Sequence, residues 1–142
     1  MTVRLHGRRG SVDRRRLRSC AARLLRELGC ARAELSIALV DDATITSLNA
    51  RYRGVARPTD VLSFSLVEGP HSERRGALLG DVVVSLETAA IQARRARRSL
   101  DDEVLRLLIH GTLHLLGHDH VGDEDARRMR AEERRMWRVL RA

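Results

Sequence analysis

The stretch from Val104 to Gly117 reads VLRLLIHGTLHLLG and carries the strongest pattern in the chain. Its spacing of apolar residues predicts a helix, and its final glycine is a residue at which that helix can end. Ser99, with Asp102 three residues later, forms a variant of the capping box that would begin it. Two histidines four residues apart, His110 and His114, therefore lie on one face of this helix.

Other patterns on both sides of this helix predict the remaining elements. In chain order they are a short strand around Leu5, a helix after Asp13 that stops at Gly29, a strand from Glu34 to Val40, a helix capped by Asp41 or Asp42 and broken at Arg57–Asp60, a strand from Val61 to Leu66, a loop from Val67 to Gly76, a strand from Leu78 to Leu86, a helix from Glu87 to Arg98 and a last helix capped by Asp123. The loop permits hairpin-like pairing of the two strands that it joins.

Helices outnumber strands and do not alternate regularly with them, which predicts an α+β fold. We expect a single domain, residues 1–142, with a small mixed β-sheet packed with about five helices.

The composition fits one globular domain with few aromatic residues. Of the 142 residues, 43% are hydrophobic and only 2% are aromatic, so we expect a core of Leu, Val, Ile and Ala. Cys20 and Cys30 do not make a disulfide framework. No apolar run reaches the ~18–20 residues of a membrane span, and the N-terminus has no signal-peptide core. These features predict a soluble, cytoplasmic protein with no membrane partner.

The positive charge of the chain comes from arginine alone. All 27 basic residues are Arg, and the formal net charge is +8. Guanidinium groups bind phosphate in a bidentate manner, and nucleic acid is the commonest polyanion. A codon bias of the genome that replaces lysine with arginine would give the same composition. Phosphate binding and codon bias therefore both stay open as interpretations. The run Arg94–Arg98 presents the same choice between nucleic-acid backbone and a solvated helix end.

The histidines of the central helix suit a metal ion. His110 and His114 place their Cβ atoms about 5–6 Å apart, and Gly117 can adopt the left-handed angles that turn the chain back toward them. His120 would then supply a third ligand, with His118 as the alternative. Three neutral ligands leave an open position on zinc, as in catalytic sites. We predict one zinc ion, Zn2+, bound by His110, His114 and His120.

The three histidines and Gly117 have the same spacing as in the metzincin proteases, whose pattern is H-E-x-x-H-x-x-G-x-x-H. The chain departs from that pattern at one residue. Gly111 stands where those enzymes carry the glutamate that acts as general base. The sequence keeps the metal ligands and lacks the base, which disfavours peptide hydrolysis by that route.

Four short segments occur in an order and at intervals typical of one bacterial family. They read NARYRG from Asn49, PTDVLSF from Pro58, LGDVVVS from Leu79 and HGTLHLLGHDH from His110. By these segments the chain resembles the YbeY endoribonucleases, the rRNA maturation factors, from about Asp41 to the last helix. His118 departs from the family pattern, in which an aromatic residue, usually Tyr, is common at this position.

The resemblance implies a zinc-dependent endoribonuclease that acts on single-stranded RNA. It implies roles in small-subunit rRNA maturation, ribosome quality control and late ribosome assembly, with precursor rRNA and the ribosome as partners. It assigns the metal to His110, His114 and His120, and a phosphate-binding or catalytic role to Arg53. Without the resemblance, Arg53 is a surface residue that follows a helix. The attacking group and the oligomeric state stay open.

Two other functions are compatible with these residues. One is a metal-dependent hydrolase of peptides or small molecules, against which the missing glutamate at position 111 counts. The other is a non-catalytic ribosome-assembly factor with structural zinc, which a fourth protein ligand at the metal would favour.

Overall fold

The fold is a four-stranded sheet with helices on both faces. A computed structural model describes residues 2–7, 12–65, 78–117 and 122–141. These contain β1 (Thr2–Gly7), α1 (Arg14–Glu27), β2 (Glu34–Val40), α2 (Asp42–Arg53), β3 (Val61–Ser65), β4 (Leu78–Ser85), α3 (Leu86–Arg95), α4 (Leu100–Leu115) and α5 (Asp123–Arg141). The predicted α+β class, with one small mixed sheet and about five helices in a single small domain, is confirmed. The predicted strand end at Leu66, the loop Val67–Gly76 and the residues His118 and His120 lie outside the described ranges.

The sheet has the strand order β1-β2-β4-β3. β1, β2 and β4 are parallel to one another, whereas β3 pairs antiparallel with β4 in the register Val61↔Val84. This confirms the predicted hairpin-like pairing of the two strands around the long loop. Since β3 is the last strand in the order, one of its edges is not covered by another strand of the described sheet.

Side-chain caps begin the helices where the sequence predicted them. The carboxylate of Asp13 accepts a hydrogen bond from the Arg16 amide at 3.0 Å, and Ser99 Oγ accepts one from the Asp102 amide at 3.1 Å. Of the two residues proposed for α2, Asp41 is the cap. These bonds satisfy amide groups that have no partner inside the helix.

Three predicted boundaries of α2 and α3 were wrong. α2 ends at Arg53, before the predicted break at Arg57–Asp60, because Gly54 adopts a φ of +70° and caps the helix. The helix predicted from Glu87 to Arg98 is α3, which runs from Leu86 to Arg95. Leu86 was predicted as the last residue of the preceding strand, but that strand, β4, ends at Ser85. Residues after Arg95 leave the helix, and Arg97 has a φ of +54°.

The start of the last helix also differs from its prediction. α5 begins at Asp123 itself, so Asp123 is not the cap that precedes it. The carbonyl of Gly122 accepts the hydrogen bond of the Ala126 amide at 3.1 Å, as the residue before a helix does. Asp123 instead belongs to the acidic first turn, where negative charge is favoured by the helix dipole.

Aliphatic side chains from both faces of the sheet form the core, as the composition predicted. The larger cluster joins the sheet to α1, α4 and α5, and the smaller one packs Ile45 of α2 against Leu62 and Val83. Cys20 and Cys30 form no disulfide. Among the described helices, none is both long and apolar enough to cross a membrane.

Helix α4 is buried around almost its whole circumference. From Glu103 to Leu116, only Arg106, His110 and His114 keep partial solvent access. These three residues are each four apart, so they form a single stripe along the helix. Between Glu103 and Leu116, the two histidines and one arginine are therefore the side chains through which α4 can contact a ligand.

Gly111 allows α4 to pack closely on β3 and β4. A Cβ atom at this position would lie 2.8 Å from Val82 Cγ1 and 3.0 Å from Ser63 Oγ, which is too close for a carbon atom. Ser63 Oγ also donates a hydrogen bond of 2.9 Å to the Gly111 carbonyl. The absence of a side chain therefore sets the distance between α4 and the sheet.

Glu103 is a buried carboxylate that holds two arginines. Its side chain is 1% exposed, and it accepts hydrogen bonds from Arg98 Nη1 and Arg106 Nη2, both at 2.6 Å. Burial by itself raises the pKa of Glu103, but the bonds from Arg106 and Arg98 outweigh burial and lower it. The ionised carboxylate therefore ties the turn after α3 to the first turns of α4.

Replacing Gly111 with alanine should destabilise the fold. The added Cβ must displace Val82, and overpacking of this kind costs about 1–3 kcal/mol, although Gly to Ala in an exposed helix gains up to about 1 kcal/mol. Urea unfolding would measure the loss. Ser47→Ala, on an exposed turn of α2, should change stability by less than about 0.5 kcal/mol. A Gly111→Ala protein as stable as the wild type would contradict the close packing.

Replacing Glu103 with glutamine should destabilise the fold in a pH-dependent way. Because the folded pKa lies below the unfolded value of about 4.3, the carboxylate contributes fully above that value and its contribution is lost as pH falls through the folded pKa. We expect Glu103→Gln to lose about 1–3 kcal/mol at neutral pH and this difference to shrink below about pH 4.

Urea unfolding of both proteins across this pH range measures the difference. Glu132→Gln is a control, because Glu132 binds Arg135 near the surface, where such a pair is worth at most about 1 kcal/mol. A Glu103 effect that stays constant down to pH 2–3 would argue against the lowered pKa.

Candidate active site

A cavity of about 420 Å3 opens beside β3 and contains most of the residues singled out from the sequence. His110 and His114 enter it from α4, and Arg53 enters it from the last turn of α2. Asn49, Asp60 and Ser63 contribute to its wall. The structure thus places three predicted site residues in one cavity, although 57 positions separate Arg53 from His110 in sequence.

The two histidines point ring nitrogens at each other. His110 Nε2 and His114 Nε2 are 3.1 Å apart, and the ring planes are inclined by 71°. One arrangement that gives this distance is a hydrogen bond between the rings. The other is a cation that both nitrogens approach with their lone pairs. Both nitrogens therefore face the same point in the cavity, as the four-residue spacing predicted.

Glu133 of α5 fixes the orientation of His110. Its Oε1 lies 2.9 Å from His110 Nδ1, and each of the two side chains is 23% exposed. An ionised carboxylate can only accept, so Nδ1 carries the proton and donates it. Nε2 of a neutral His110 ring then presents a lone pair toward the cavity, which is the form that binds a metal.

Sequence reasoning did not find Glu133. The residue lies 23 positions after His110 on a helix with two other glutamates, and no sequence spacing connects Glu133 to His110. Only the packing of α5 against α4 brings its carboxylate to the imidazole.

Arg53 is exposed and held at the mouth of the cavity by one hydrogen bond. Its Nη2 donates to the carbonyl of Ser63 at 3.3 Å. A guanidinium group has five N–H donors in a planar fork, so this bond leaves donors for a ligand. The carbonyl that it contacts belongs to β3, the last strand in the order of the described sheet. Arg53 is therefore oriented without being neutralised by a carboxylate in the described structure.

Asp60 is a second carboxylate that sequence reasoning left unassigned. Its Oδ1 accepts from the Val61 amide at 2.8 Å, and its Oδ2 accepts from Gln92 Nε2 at 3.2 Å. Its carbonyl accepts from the Ser85 amide at 3.0 Å. Both carboxylate oxygens thus have partners, which suits a wall residue that fixes the start of β3. Its position in the PTDVLSF segment was the available signal.

The same packing explains why the glutamate of the metzincin pattern is missing. Gly111 packs against Val82 and Ser63 and is not part of the cavity lining, and a Cβ atom at this position would lie only 2.8 Å from Val82 Cγ1. A glutamate at this position would push α4 away from the sheet and bury a charge against valine, which is costly. This chain therefore cannot hold a general base where those proteases hold theirs.

The described residues supply two of the three predicted metal ligands. His110 and His114 lie together as described, and Gly117 has a φ of +95°, which confirms the predicted left-handed turn after α4. His120 follows this turn outside the described ranges, so its role as third ligand stays a prediction. Among the described residues alone, no group of three His, Cys, Asp or Glu side chains is placed to bind a metal ion.

Comparison with known proteins identifies the family of the chain. The family profile described as "Endoribonuclease YbeY" matches residues 5–141. The chain belongs to the YbeY family. A relative named Endoribonuclease YbeY from Anaeromyxobacter sp. (strain Fw109-5) is 53% identical over 141 residues, which cover 98% of this chain and 72% of the relative.

A more distant relative and one solved structure match over a similar length. An Endoribonuclease YbeY from Geobacter sulfurreducens is 40% identical over 135 residues, which cover 94% of this chain and 90% of the relative. A solution structure of a Thermotoga maritima protein superposes with a TM-score of 0.70 at 24% identity, over 97% of this chain and 88% of that one. This structural likeness shows that the fold is shared.

Proposed function

We propose that this YbeY family member is a zinc-dependent endoribonuclease that cleaves single-stranded RNA at a three-histidine site. Its place would be the cytoplasm, in late maturation of small-subunit rRNA and in ribosome quality control. The observation that carries the proposal is the meeting of His110, His114 and Arg53 in one cavity. Relatives that carry the name Endoribonuclease YbeY support the choice of RNA as substrate.

The two described histidines fit a zinc ion. Two nitrogens at about 2.0–2.1 Å from zinc, in tetrahedral geometry, lie roughly 3.4 Å apart, and His110 Nε2 and His114 Nε2 are 3.1 Å apart. A carboxylate at the other ring nitrogen, as Glu133 supplies to His110, is the usual support for a ligating histidine. We assign His120 as the third ligand, and the fourth position would remain open.

When bound, zinc would supply a Lewis acid and would lower the pKa of a water molecule at its open position. The residues of the chain would do the rest of the work. His110 and His114 would hold the ion next to the scissile phosphodiester, and Glu133 would keep the His110 ring in the required tautomer. β3 and the last turn of α2 line the cavity and would limit how the RNA strand can enter it.

Arg53 would bind the phosphate that is cleaved. Its remaining N–H donors can contact a non-bridging phosphate oxygen in a bidentate manner, and such charge-assisted bonds are about twice as strong as neutral ones. As negative charge grows on the phosphoryl oxygens in the transition state, a guanidinium already held by the Ser63 carbonyl needs little reorganisation. This assigns Arg53 to transition-state stabilisation and leaves the identity of the attacking oxygen open.

Loss of His114 should remove both metal and activity. We expect zinc-loaded wild-type protein to cleave single-stranded RNA and to leave casein intact, because Gly111 replaces the protease base. His114→Ala should bind no stoichiometric zinc and cleave no RNA while keeping its helical circular dichroism. His6→Ala is the control, since His6 is exposed on β1 at the opposite edge of the sheet. Full zinc content in His114→Ala would refute the ligand assignment, and casein cleavage by the wild type would favour a peptidase.

Reversal of charge at Arg53 should slow RNA cleavage without loss of zinc. Removal of one charge-assisted phosphate contact costs about 1.5–3 kcal/mol, so kcat/KM should fall by roughly 10–100-fold or more in Arg53→Glu. Arg51→Glu makes the same change on α2 outside the cavity lining and should have a much smaller effect. Equal losses in the two variants would show that only the overall charge matters.

A further inference from the structure

A second cavity of about 270 Å3 is lined mainly by residues of α4 and α5 and shares no lining residue with the cavity beside β3. Its wall includes Arg98, Arg106, Arg130 and Arg134, together with Glu133 and Trp137. The volume is near the lower limit of about 300 Å3 for ligand pockets, so it suits one small charged group. Glu133 belongs to this wall and also binds His110, so one side chain connects the two cavities.

Two of the four arginines, Arg98 and Arg106, are held in place by a buried carboxylate. Glu103 bonds both Arg98 and Arg106, and Arg98 Cζ lies 5.8 Å from the centroid of the Trp137 ring. Glu103 and Glu133 are the two carboxylates that face these guanidinium groups, and the cavity wall carries four arginines, so a net positive charge remains. Hydrogen bonding to Glu103, with further attraction from Asp60 and Glu133, raises the pKa of Arg106 and keeps it charged.

The other half has no carboxylate partner among the described residues. Arg130 and Arg134 are exposed and one turn apart on α5, whereas their neighbours Arg128 and Arg135 bind Glu124 and Glu132. Like charges at this spacing oppose helix formation, so the stability of α5 does not explain the pair. A bound anion would offset the repulsion.

The solvent-accessible stripe of α4 joins this cluster to the histidines. Arg106, His110 and His114 follow one another at four-residue intervals, each about 6 Å further along the helix axis. Arg106 lines the second cavity and His114 lines the first. A strand that lies along the stripe would therefore present one phosphate to the histidines and another to the arginines.

We propose that the second cavity binds a backbone phosphate of the RNA strand, at a nucleotide beside the one that is cleaved. The proposal rests on the RNA-cleaving function argued above. Guanidinium forks match phosphate oxygens in a bidentate manner, and four of them around one cavity favour a phosphate over a neutral group. The site would position the substrate and take no part in bond cleavage.

The test compares two double variants with the same loss of charge from α5. Arg130→Gln/Arg134→Gln removes the residues of the cavity, and Arg128→Gln/Arg135→Gln removes two arginines from the opposite face of the helix. With zinc-loaded proteins and a short single-stranded RNA, we expect the cavity variant to raise KM about tenfold and to reduce the salt dependence of binding. The loss should fall mainly on KM and not on kcat, zinc content should not change, and the control variant should match the wild type.

Other results would overturn the proposal. An equal rise in KM for both variants would show unspecific attraction by the net charge, and no rise in either would show that the cavity does not bind RNA. Polyglutamate that binds better than RNA, and only when Arg130 and Arg134 are present, would indicate an acidic protein partner instead. If the wild type cleaves RNA and the cavity variant is unaffected, this site alone is refuted; if the wild type neither binds nor cleaves RNA, the proposed function fails with it.

Discussion

The close contact between α4 and the sheet at Gly111 is the constraint on which the rest of the structure depends. Because no side chain separates the helix from Val82 and Ser63, α4 lies deep in the core and is covered on nearly every side. From Glu103 to Leu116, solvent access is left only along the stripe that carries Arg106, His110 and His114. The same contact therefore builds the core, brings the two histidines to the cavity beside β3 and removes the position that a protease would use for its base.

Carboxylates then set the chemistry along that stripe. Glu133 reaches His110 from α5 and makes its Nε2 the nitrogen that faces the cavity, whereas Glu103 holds Arg98 and Arg106 near α3. Glu103 is buried, and a buried charge is stable only when it is paired. Glu133 is partly exposed, and its partner comes from another helix. The fixed orientation of the His110 imidazole and of the Arg98 and Arg106 guanidinium groups is thus a consequence of helix packing. The net charge of +8 makes attraction of RNA expected, but these pairs determine where the unneutralised arginines lie.

An endoribonuclease needs a site that holds one phosphate while the rest of the strand is kept in register. The cavity at His110, His114 and Arg53 has the groups for the first task, and the arginines between α4 and α5 have the charge for the second. Both lie along one helix, so a strand bound at one would be guided to the other. This arrangement needs few aromatic residues, which agrees with a chain that contains one Trp, one Tyr and one Phe.

Local patterns in the sequence determined the elements, most of the caps and the spacing of the histidines. Helix α4, the strand Glu34–Val40 and the caps Asp13 and Ser99 could be predicted because each depends on residues within one or two turns. The end of α2 was missed because the sequence has two nearby stop signals, Gly54 and Pro58, and the helix ends at the first of them. Only tertiary structure brought Arg53 and Glu133 to the histidines, placed Gly111 against the sheet and left Arg130 and Arg134 beside Arg106. Those contacts join distant parts of the chain, and they are set by how helices pack on a sheet, which periodicity within one segment does not specify.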